Sequence, residues 1–99
     1  MRPRVPGMNE VDDVVLEFFE ELGEVGGRRV ALPPSPVKRH VVDELGLVER
    51  GPSTFSRRMQ KLAEMGLLEI SDDTAGYYRI TDMGLDYLSG ELDAEDIEQ

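Results

Sequence analysis

This 99-residue sequence predicts a mainly α-helical chain with a small β-hairpin, an α+β domain, and three observations carry that prediction. Apolar residues recur at three- and four-residue spacing in four segments. Each of those segments stops at a glycine, the residue that best closes a helix. Between the third and fourth segments, two short runs flank a turn-forming stretch, and the second alternates apolar with polar residues as a half-buried strand does.

The elements follow in order. Residues Met1 to Met8 hold two prolines, a glycine and two arginines and read as an arm, so 1–9 is assigned as a flexible segment before the domain. Asn9 is a helix cap, with Asp12 and Asp13 in the first turn, where acids suit the helix dipole. Val11, Val14, Val15, Phe18 and Leu22 form the main apolar stripe. Gly23 and the pair Gly26-Gly27 end this helix. Leu16 and Phe19 lie off the stripe; they either widen one core face or form a second apolar surface for a partner subunit. Arg28 to Leu32 reads as a short strand.

Ser35 followed by Pro36 is a cap with proline in the first helical turn. The second helix runs to about Leu45, with Val37, Val41 and Leu45 inward and His40 at its boundary, and Gly46 stops it. In the connection that follows, Leu47 and Val48 are expected inward. Gly51-Pro52-Ser53 opens the third helix, buried through Phe55, Met59 and Leu62 and closed at Gly66. Leu67 to Ile70 and Tyr77 to Ile80 are the paired strands, with Tyr78 and Ile80 inward and Tyr77 and Arg79 outward. Thr81 caps a fourth helix that ends near Gly90. Residues 10–90 therefore make one domain, and 91–99, mostly acids, read as a solvated tail. Two helices joined by a turn, then a β-hairpin, is the winged helix-turn-helix arrangement.

Composition narrows the function. No cysteine is present, so disulfides and thiolate metal sites are excluded, and one histidine cannot build a metal site alone. No apolar run approaches a membrane span, and the first residues lack a signal peptide's apolar stretch, so a cytoplasmic protein is expected. No nucleophile–base pairing or phosphate-cradling glycine loop points to an enzyme or a cofactor. The net charge of −10 argues against nucleic acid at first sight. Its distribution reverses that. Residues 28–61 hold eight basic residues against three acids, while the rest of the chain holds three arginines against 18 acids. With two lysines against nine arginines, the acid-rich surface has the habit of proteins that work in strong salt.

The third helix carries the functional pattern. Opposite its apolar positions stand Ser53, Thr54, Ser56, Arg57, Gln60 and Lys61, with Arg58 at the edge. Arginine can grip guanine through two acceptors, glutamine can do the same for adenine, and serine and threonine can meet phosphate. Lys38, Arg39, Arg28 and Arg29 are expected to hold the phosphate backbone, with Arg50 and Arg79 on the same side. The partner so implied is double-stranded DNA. Leu16, Phe19 and Leu85 are the candidate homodimer surface. A winged helix that docks onto another protein is the competing reading, favoured by the acidic turn Asp72-Asp73-Thr74 but leaving the basic third helix unexplained.

Several runs resemble a known family. Ala31-Leu32-Pro33-Pro34, Pro52-Ser53-Thr54-Phe55-Ser56-Arg57-Arg58-Met59, Lys61-Leu62-Ala63-Glu64-Met65-Gly66-Leu67-Leu68 and Tyr77-Tyr78-Arg79-Ile80-Thr81-Asp82-Met83-Gly84 are similar to haloarchaeal winged-helix regulators related to a halophage repressor. So is the ending Tyr87-Leu88-Ser89-Gly90-Glu91-Leu92-Asp93-Ala94. The resemblance spans Val11 to Asp93 and implies a cytoplasmic DNA-binding regulator, often dimeric on a partly palindromic site. The sequence departs from the family in a longer Gly46–Gly51 connection and in its acidic wing tip.

Overall fold

The computed structural model describes residues 8–90; the expected acidic tail and all but Met8 and Asn9 of the expected arm lie outside them. Those two belong to the domain. Met8 is buried, and Asn9 caps the first helix, α1 (Glu10–Leu22). The Asn9 side chain accepts from the Asp12 amide at 3.1 Å, and the Asp12 carboxylate accepts from the Asn9 amide at 3.0 Å. This reciprocal box satisfies two amides that the helix cannot pair internally.

The buried arc of α1 is Val11, Asp12, Val15, Leu16 and Phe19. The expected stripe is thus rotated. Val14, Phe18 and Leu22 are only partly buried, whereas Leu16 is 0% and Phe19 1% exposed. The cause is packing: α1 lies against both the third and the fourth helix, so its core face is broad.

The glycine pair after α1 does not end that helix, which stops at Gly23. It turns a two-stranded hairpin, β1 (Glu24–Val25) with β2 (Arg28–Arg29). Gly26 and Gly27 have φ of 66° and 83°, and a two-residue turn with both central φ positive suits the twist of antiparallel strands. Further on, Leu32 pairs with Tyr78 through two backbone hydrogen bonds of 2.9 Å. The expected strand from Arg28 to Leu32 therefore divides between two sheets.

The second helix, α2 (Pro34–Lys38), starts one residue before Ser35, with Pro33 at the cap position. It continues into a π-helical turn, Arg39–Glu44, in which the Leu45 amide bonds the His40 carbonyl at 3.0 Å. Val37 and Val41 are buried as the periodicity requires, but Leu45 is 53% exposed. The extra residue in a π turn carries Leu45 off the face that α-periodicity assigns it. Of the two residues expected to tuck in after it, only Val48 does; Leu47 is 57% exposed.

Helix α3 (Pro52–Glu64) buries Phe55, Met59 and Leu62. The wing follows as β3 (Leu68–Ile70) antiparallel to β4 (Tyr78–Ile80), with Leu68 opposite Ile80 and Ile70 opposite Tyr78. Thr81 begins α4 (Asp82–Ser89): its hydroxyl accepts from the Gly84 amide at 3.0 Å and donates to the Gly66 carbonyl at 2.7 Å. One side chain thus ties the start of α4 to the turn after α3. Tyr87 donates to Asp13 at 2.7 Å, which joins α4 to α1. Among the described residues no helix is long and apolar enough to cross a membrane.

Candidate nucleic-acid interface

The outward stripe of α3 is made by Ser53, Ser56, Arg57 and Gln60, all exposed, with Thr54 and Lys61 half-buried on its flanks. Positions three, four and seven apart lie on one helical face, so the burial of Phe55, Met59 and Leu62 forces these side chains outward together. Among the described residues neither Arg57 nor Lys61 meets an acidic partner. Their donors are open to an external acceptor.

Arg58, expected at the edge of this face, points the other way. Its guanidinium donates to both oxygens of the fully buried Asp12, at 2.9 Å and 2.5 Å. The hydrogen bond to Asp12, helped by the acid's charge and opposed by burial, raises the arginine's already high pKa. Arg58 is therefore withdrawn from the interface. It fixes α3 against the first turn of α1.

The remaining basic residues divide by what holds them. Arg29 donates to the Ile80 carbonyl at 3.3 Å and to Asp82 at 2.5 Å, with three-quarters of its side chain covered. It braces β4 and α4. Arg79 is half-buried under the wing tip, with one donor 3.5 Å from the Ser71 hydroxyl and its Nε enclosed without a partner among the described residues. The alternation that placed it outward holds for Tyr77 but only partly for Arg79. Arg28 is exposed, with Asp73 of the wing tip 4.0 Å away. Arg50 donates to the Glu49 carbonyl and reaches Glu10 at 3.4 Å. Lys38 meets Asp43 at 3.3 Å, and Arg39 meets Glu44 at 3.0 Å. His40 shares Glu44 at 3.0 Å and its ring lies 5.5 Å from that of Phe18.

The candidate dimer residues do not make a surface. Leu16 and Phe19 are core, and Leu85 is half-buried against that core. Asp12 is more than the dipole-suited acid its first-turn position indicates, being fully buried and ion-paired. Its burial follows from its place among Val11, Val15, Leu16 and Phe19 on one arc, an acid that the interior admits only with a cationic partner.

The family model for the winged helix-turn-helix phage repressor matches residues 1–99. A similar solved structure is that of the PhiH1 repressor-like protein from Haloarcula marismortui, 34% identical, covering 95% of this chain and 91% of that one with a TM-score of 0.73. No curated protein matches. With the helix-turn-helix, the wing and the family model in agreement, this chain belongs to the winged helix-turn-helix phage repressor family.

Proposed function

We propose that this protein is a sequence-specific, DNA-binding transcription regulator, a repressor in its mode of action, that places α3 in the major groove. One observation carries the reading: the stripe of Ser53, Ser56, Arg57 and Gln60, flanked by Lys61, is exposed and its two cations have no acidic partner among the described residues. Arg57 and Gln60 supply the paired donors and acceptors that discriminate guanine and adenine, while Lys61 and the serines suit phosphate. Lys38 and Arg39, on the helix that packs against α3, are assigned to the backbone on either side of the groove. The family's repressor character supports the direction of regulation, and an acid-rich chain of this kind suits a cytoplasm of high salt.

The wing is given a lesser part. Its tip carries Asp72 and Asp73, both exposed, which repel phosphate. The reading extends to a homodimer, because one module covers only about 600–1,000 Å² of protein surface and two would lengthen the sequence read. Selection of bound duplexes from a random pool tests all of this. The expected product is a consensus with two related half-sites about one helical turn apart. Binding should fall at least tenfold in Arg57→Ala and Lys61→Ala. A pool that yields no consensus would instead favour the protein-docking reading, and full affinity in both variants would move the DNA surface away from α3.

A further inference from the structure

Both cations of the second helix are paired with an acid five residues further on, Lys38 with Asp43 and Arg39 with Glu44. That spacing is unusual. In an α-helix, at about 3.6 residues per turn, residues five apart lie about 140° from each other around the axis and do not meet. Here the chain is π-helical from Arg39 to Glu44, and a turn closed by hydrogen bonds between residues five apart brings i and i+5 to nearly the same face. The π turn is thus what aligns the two pairs. Asp43, Glu44 and Arg39 are exposed and the Lys38 side chain is 24% exposed, so the Arg39–Glu44 pair stands on the surface and the Lys38–Asp43 pair at its edge, where a competing anion can open them.

We propose that Asp43 and Glu44 are affinity-determining residues of the DNA interface, internal stand-ins for phosphate that the DNA backbone must displace from Lys38 and Arg39. This rests on the DNA-binding reading above. When a free lysine or arginine meets DNA, one condensed cation leaves the phosphate, and affinity falls steeply with salt. When a paired one does so, its carboxylate is released beside the phosphates and recruits a cation from solution. Release and recruitment nearly cancel. Lys38 and Arg39 then hold the DNA without adding to the salt penalty, at the expense of affinity in dilute salt.

The test is duplex binding by the full chain across a salt series from about 0.1 M to 1 M, on the sequence obtained by selection. In Asp43→Asn/Glu44→Gln the expected result is about tenfold tighter binding at 0.1 M, shrinking towards parity near molar salt. The plot of log affinity against log salt should steepen by about 1. A charge-matched control, Glu20→Gln/Asp86→Asn, removes two acids from α1 and α4 and should leave the slope as in the wild type. In a Lys38→Gln/Arg39→Gln background the Asp43→Asn/Glu44→Gln gain should vanish, because the cations it frees are gone. Circular dichroism of each variant confirms that the fold is retained. An unchanged slope in Asp43→Asn/Glu44→Gln, an equal effect from the control, or a gain that survives without the two cations would each overturn the proposal. Failure of the underlying reading looks different: selection would then enrich no duplex, and wild type and variants alike would show no sequence preference.

Discussion

Arg57 and Arg58 are neighbours in the chain and opposites in environment. Arg57 is exposed on the outer face of α3, while Arg58 is held by the buried carboxylate of Asp12. Exposed substitutions away from special features change stability by about 0.5 kcal/mol or less, so Arg57→Ala should unfold at the wild-type denaturant midpoint and yet lose DNA. Arg58→Ala leaves Asp12 as an uncompensated interior charge, which costs about 3–5 kcal/mol. For a domain of this size that is a large part of the total stability. Urea unfolding followed by circular dichroism separates the two, and an Arg58→Ala midpoint equal to that of the wild type would refute the structural role given to the pair. Asp12 also closes the capping box of α1, so one carboxylate both starts that helix and orients α3.

At the scale of elements, α4 lies close against the residue before β3 and the end of β4. A side chain at Gly84 would bring its Cβ 2.4 Å from the Leu67 carbonyl oxygen and 2.6 Å from Ile80. Alanine in place of helical glycine normally gains about 1 kcal/mol. Here the obstacle includes backbone that cannot swing aside, and overpacking of this kind costs about 1–3 kcal/mol or more. Gly84→Ala should therefore lower the unfolding midpoint despite its better helix propensity; a rise would show that α4 can lift off the sheet freely. The same junction depends on the Thr81 hydroxyl, which caps α4 and bonds Gly66. Thr81→Ala should destabilise by about 1 kcal/mol through the lost cap alone.

For the whole molecule the governing quantity is charge. A net charge of −10 on 99 residues opposes compaction in dilute salt, since like charges repel across the surface. Screening shortens to about 3 Å at 1 M, so the melting temperature should rise as potassium chloride is raised from 10 mM towards molar. A fall over that range would mean that the surface ion pairs outweigh the repulsion. Assembly must be tested with the core left intact. Phe19→Glu would place a charge at a site 1% exposed and unfold the monomer, so it cannot report on a dimer. Sedimentation of the unaltered chain at micromolar concentration and molar salt, with and without the selected duplex, measures the oligomer directly.

The order of elements was legible in the sequence because its signals are local. Asn9 and Thr81 cap helices, Gly46, Gly66 and Gly90 close them with positive φ, and Phe55, Met59 and Leu62 define the inner side of α3 and hence its outer stripe. The basic centre between acidic flanks was equally plain. Two departures were local as well: Gly26-Gly27 carries a hairpin signal that the neighbouring helix end obscured, and α2 starts at Pro34 rather than at Pro36. What the tertiary structure alone decided is which polar groups remain free. Arg58 and Arg29 look as available as Arg57 in the sequence, but their partners, Asp12 and Asp82, are 46 and 53 residues away. Leu16 and Phe19 could have widened the core or formed a spare surface, and the packing of α1 against both α3 and α4 buries them. The π turn that pairs Lys38 with Asp43 and turns Leu45 outward has no periodicity signal either, because Val37 and Val41, four apart and both buried, fit an ordinary α-helix. Caps and stripes are properties of a segment, whereas pairing and burial depend on what distant segments bring to it.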